Sequence, residues 1–162
     1  MRRLVLVLAL TSFLVTGVLF SASAFDNPST GSARLHQINH SGITARIVFL
    51  DTGDPSTGLI VSGTAEGLIP GMTYITLVYD TGSVPGGPRA CEPPPDNDQT
   101  DAQMFVGVWS VAPDGTGRLN ATKTGASYVP LDDIATTSVR KVVGPGPAGA
   151  LLQACGEVHR NP

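Results

Sequence analysis

Hydrophobic and polar positions alternate with a period of two on either side of the turn Leu68-Ile69-Pro70-Gly71. Upstream, Leu59, Val61, Gly63 and Ala65 share one face, and Ile60, Ser62, Thr64 and Glu66 share the other. Downstream, Ile75, Leu77 and Tyr79 oppose Tyr74, Thr76 and Val78. Successive side chains of a strand point to opposite faces, so two such runs about a Pro-Gly turn predict an antiparallel pair over 59–66 and 72–80. The same pattern predicts strands over 33–40 and 43–50, the second alternating Ala45, Ile47 and Phe49 against Thr44, Arg46 and Val48. Strands over 104–111 and 118–122 flank the turn Pro113-Asp114-Gly115. Those over 138–143 and 153–159 flank the glycine–proline loop 144–149. Residues 51–58 have turn composition, and 132–137 read as a crossing loop. No helical period of useful length appears after residue 24. About eight strands at this spacing imply an all-β sandwich or barrel.

The first residues change the picture of where the chain works. Arg2-Arg3, the apolar run from Leu4 to Phe20 and the small residues Ala22-Ser23-Ala24 have the order of a signal peptide. Residues 1–24 are therefore expected to be removed, with an uncleaved signal anchor as the alternative, followed by a polar leader over 25–31 and one domain over 32–160. The expected location is secreted or periplasmic, with no membrane attachment after cleavage. Losing Arg2 and Arg3 moves the formal charge from −3 to −5 with histidines neutral. No run of basic residues remains to bind nucleic acid or an anionic membrane.

The long irregular stretch 81–102 contains Cys91, and the only other cysteine is Cys155. An even count in an oxidising compartment reads as a disulfide, with two free thiols as the alternative. Asp96, Asp98 and Asp101 cluster in the same stretch. They supply the first oxygens of a calcium loop without its glycine or closing glutamate, so a solvated loop is the plainer reading. His36 and His40 would lie roughly 13 Å apart on a strand, too far to share a metal. Asn39-His40-Ser41 and Asn120-Ala121-Thr122 match the glycosylation triplet. Trp109 falls on a face with Phe105, Gly107 and Val111, which reads as core packing. No nucleophile–histidine–acid set and no phosphate-binding glycine loop stands out.

Several of these pieces, in their order and spacing, resemble the copper–zinc superoxide dismutase family. They are GTAEGLIPG at 63–71, Cys91, Phe105-Val106-Gly107, PDGTG at 113–117 and AGALLQACGEV at 148–158, with Ala154-Cys155-Gly156 the most specific. The resemblance spans Ser32 to His159. It implies an eight-stranded antiparallel Greek-key barrel or sandwich whose loop cysteine bonds the C-terminal one, here Cys91 and Cys155. The family holds copper and zinc with histidines and one aspartate. Laid on this chain, its His-x-His falls on Thr76 and Val78, other ligands on Phe105, Val108 and Gly144, and the bridging histidine near Asn97. The arginine that guides superoxide falls on Leu151 or Leu152. Past residue 24 the histidines are His36, His40 and His159, fewer than the family's six.

The sequence therefore leads to a secreted, superoxide dismutase-like domain with no copper, zinc or other cofactor. It is expected to be a non-catalytic binding or structural module for an unidentified protein or extracellular ligand. The alternative is a divergent dismutase or single-metal protein. The expected working surface is the 81–102 loop, with Asp96 and Asp98, together with outward-facing Tyr74, Thr76 and Val78.

Overall fold

The computed structural model describes residues 28–80, 91–92, 99–145 and 149–161. The signal-peptide expectation for 1–24 and the acidic residues Asp96 and Asp98 lie outside the described residues.

Among the described residues, nine antiparallel strands form one nearly closed, barrel-like sheet. They are β1 (Ser29–Gln37), β2 (Thr44–Asp51), β3 (Leu59–Glu66), β4 (Tyr74–Asp80), β5 (Phe105–Val108), β6 (Ser110–Val111), β7 (Gly117–Lys123), β8 (Ile134–Val142) and β9 (Ala150–Asn161). A one-turn helix, α1 (Asp101–Met104), precedes β5 and is closed by a Thr100/Gln103 capping box. The order across the sheet is β5-β4-β8-β9-β1-β2-β3-β7-β6.

The ninth strand arises from a break in one segment. Residues 105–108 pair with β4, Trp109 steps inward, and Ser110–Val111 pair with β7. One stretch thus serves both ends of the sheet and brings them together, and β5 also packs against β7. The break also separates Phe105 from Trp109. Phe105 is 41% exposed, whereas Val106 and Trp109 are buried, so Phe105 and Trp109 do not share a face.

The interior is lined as the alternation predicts on β2 and β3, where Ile47, Phe49, Leu59, Val61 and Ala65 all point inward. Leu119 of β7, Val139 of β8 and Ala154 of β9 complete this core around Trp109. The Trp109 ring lies against Gly63 and Gly117, where any Cβ would press on it. Gly67 closes the β3–β4 turn with φ 80°, and an added Cβ would collide with the Gly42 carbonyl.

Several boundaries move. β1 begins at Ser29, inside the expected leader, because Thr30 and Gly31 pair with both β2 and β9. It ends at Gln37, and Asn39 and His40 turn with positive φ, so His40 leaves the strand. β8 starts at Ile134 within the expected crossing loop, and β9 starts at Ala150. The crossing segment before β8 is held by buried Asp51, whose carboxylate accepts from Tyr128 Oη at 2.9 Å and from the Leu131 amide at 2.7 Å.

Candidate functional site

β4 runs through the centre of one half of the sheet and is covered on both sides. Tyr74, Thr76 and Val78 are fully buried, with Tyr74 and Val78 in the main core. The outward reading of these three residues is therefore corrected: they fill the interior and form no surface. The opposite face carries Ile75, Leu77 and Tyr79, which pack with Cys91, Met104, Leu152 and Cys155 in a second apolar cluster. An apolar strand with cover on both faces has no polar side to show which way it points.

Cys91 is bonded to Cys155, tying the segment after β4 to β9. Arg140 of β8 seals the joint. Its guanidinium donates to the carbonyls of Cys91 at 2.7 Å and Ala150 at 2.9 Å, and to Tyr79 Oη at 2.9 Å. Tyr79 Oη also meets Ser138 Oγ at 3.3 Å. Burial is the main influence on the Tyr79 phenol and pushes its pKa up, partly opposed by Arg140. On the far side of α1, buried Lys123 donates to the carbonyls of Ala102 at 3.0 Å and Phe105 at 2.5 Å. Burial lowers its pKa to about 8.

The metal question turns on residue type and place. His36 lies exposed on β1, His40 in the turn, and His159 on β9 opposite Ser32. Ser32 and His36 are four residues apart, which sets His36 and His159 roughly 13 Å apart along the sheet. No group of three histidine, cysteine or carboxylate side chains converges among the described residues.

A different site appears on the outer face of β1, β2, β3 and β7. Strand register aligns Arg34 with Arg46, Arg46 with Thr64, and Thr64 with Arg118. Beside this row runs a second, formed by His36, Thr44, Glu66 and Thr116, and between them lies a groove of about 530 Å³. The groove floor is the backbone of Leu35, Ala45, Ala65 and Gly117, which register pairs in turn. All three arginines are exposed. The ion pair formed among the described residues joins Arg160 to Asp132, away from the groove. Arg34 and Arg46 stand directly opposite each other, an arrangement that like charges disfavour.

Sequence reading missed this site because the arginines are scattered along the chain. Arg46 was legible as outward-facing on its strand, but only the pairing order sets it beside Arg34 and in one row with Arg118 across Thr64. No protein-family model and no curated protein matches the chain.

Proposed function

We propose that the chain is a copper–zinc superoxide dismutase-like domain without the dismutase metal site, exported from the cell, and that it works as a non-catalytic binding module. The observation that carries this reading is the composition of β4. Its inward residues are Tyr74, Thr76 and Val78, and its outward ones Ile75, Leu77 and Tyr79. A one-residue slip exchanges the two faces of a strand. Neither face offers an imidazole, so no register of the family's His-x-His on β4 supplies a ligand.

Two further observations support the family reading. Counting 105–111 as one interrupted strand gives eight, and β8 lies beside β4, an order compatible with the Greek key that the family reading expects. The Cys91–Cys155 bond links the loop cysteine to the C-terminal one, as the family does. The binding surface is the groove on the outer face of β1, β2, β3 and β7, since the β4 residues are interior.

Metal analysis of protein refolded with copper and zinc, followed by a superoxide assay, tests the proposal. The expected result is no stoichiometric metal and no dismutation above that of free copper. Tightly bound copper with dismutation would overturn the reading in favour of a divergent dismutase.

A further inference from the structure

The groove between the Arg34–Arg46–Thr64–Arg118 row and the His36–Thr44–Glu66–Thr116 row has a chemistry specific enough to name its ligand class. We propose that it binds a linear anionic polysaccharide, a glycan bearing sulfate or carboxylate groups, laid across the strands. This rests on the binding-module reading and names the partner of that surface.

The shape comes first. The groove crosses four hydrogen-bonded strands, and at about 4.8 Å between neighbours it runs for roughly 14 Å. Its floor is sheet backbone whose side chains are committed to the interior, so it is a fixed trough that needs no rearrangement to receive a chain.

The charge comes second. Three exposed guanidinium groups line one wall of a protein whose formal charge is −3, and Glu66 is the carboxylate among the lining residues. Guanidinium forks match the planar oxygens of carboxylate and the oxygens of sulfate, and they keep their charge at any physiological pH. An anion seated between Arg34 and Arg46 would relieve their repulsion, which gives the like-charged pair a use. Exposed Thr44 and Thr64 add hydroxyls that can donate to or accept from sugar hydroxyls.

Other polymers fit less well. Among the described residues no phenylalanine, tyrosine or tryptophan lines the groove, so His36 and the guanidinium planes are all that bases could stack on. The strands beneath it lie inside the sheet, with β7 bounded by β6 at Gly117 and Arg118, so an extended peptide finds no open edge to augment within the groove.

The test uses the full chain with its disulfide intact, passed at low salt over immobilised heparin, over neutral dextran and over a single-stranded DNA oligonucleotide. The expected result is retention on heparin alone, reversed by sodium chloride. Arg46→Thr and Arg118→Thr should each weaken binding roughly tenfold, in line with loss of a charge-assisted hydrogen bond. Combining them with Arg34→Thr should abolish it, and Arg160→Thr, outside the groove, should change nothing. Circular dichroism melts establish that each variant is folded. If the triple variant does not fold, the two single variants decide the matter. Failure of heparin to retain the chain, or retention unaffected by Arg46→Thr and Arg118→Thr, would overturn the proposal. Equal, arginine-dependent retention on DNA would overturn it in favour of a phosphate polymer. None of these outcomes bears on dismutation, and metal-dependent dismutation would leave the groove result standing.

Discussion

The indole N–H of Trp109 donates to the hydroxyl of Thr76 at 2.8 Å, with both side chains buried in the barrel. Because the ring also lies against Gly63 of β3 and Gly117 of β7, this one bond anchors a side chain that spans the interior. Thr76→Val keeps the shape and strands a buried donor, which costs about 1–3 kcal/mol. Denaturant melts should show that loss, and Trp109→Phe in the Thr76→Val background should cost less than Trp109→Phe alone. Additive costs would mean that the bond contributes nothing.

Lys123 gives the protein a pH signature. Its amine titrates near pH 8 when folded and near 10.5 when unfolded. Between those values the unfolded chain binds the extra proton, so stability should rise with pH across that window. Lys123→Met removes the group, so the wild-type minus variant difference in denaturation midpoint should rise between pH 8 and 10.5. A difference that is flat with pH would contradict the burial of the amine. Tyr79 acts in the opposite sense, since its raised pKa makes stability fall above pH 10 as the unfolded phenol ionises.

The disulfide closes a loop with a sequence separation of 64. In the chain-entropy account such a closure stabilises by about 4 kcal/mol at most. Reduction, or Cys155→Ser with Cys91→Ser, should lower the melting temperature by an amount that reflects this.

Arg140→Lys keeps a positive charge and loses the planar fork that reaches both the Cys91 and Ala150 carbonyls. Faster hydrogen exchange at the β8–β9 end and easier proteolysis after Cys91 are expected, with little change elsewhere. Equal exchange across the whole sheet would show that the arginine is not a local clamp.

Arg46→Thr should do two things at once. It removes a like-charged neighbour of Arg34 and places a good strand former on β2, so stability should rise by about 0.2–1 kcal/mol. If the groove binds anions, affinity should fall in the same variant, and a melt beside a heparin column separates the two effects.

The parts of this fold that sequence made legible are those with one wet face. On β2 and β3, exposed Arg46, Ser62 and Thr64 mark the outside, so the inward set follows directly. β4 lacked that contrast, because Leu77 and Tyr79 are buried beneath the disulfide-bonded segment just as Tyr74 and Val78 are buried inside. Period-two alternation then yields two faces without saying which is which. Trp109 packs in the core as its residue type suggested, but not on a face with Phe105, since an inward step at that residue places it and Val106, three positions apart, on the same side. Ser29, Thr30 and Gly31 are small or polar with no strand signal of their own, and pairing of Thr30 and Gly31 on both sides draws this stretch into the sheet. The cysteine pairing was legible by count, whereas the groove depended on register between strands far apart in sequence.

The segment 105–111 lends its first four residues to β4 and its last two described ones to β7. Pulling either flank open must therefore disturb the other, as cutting one stave loosens a whole cask. The two halves of the wall should come apart together, with no half-unfolded form long-lived enough to accumulate.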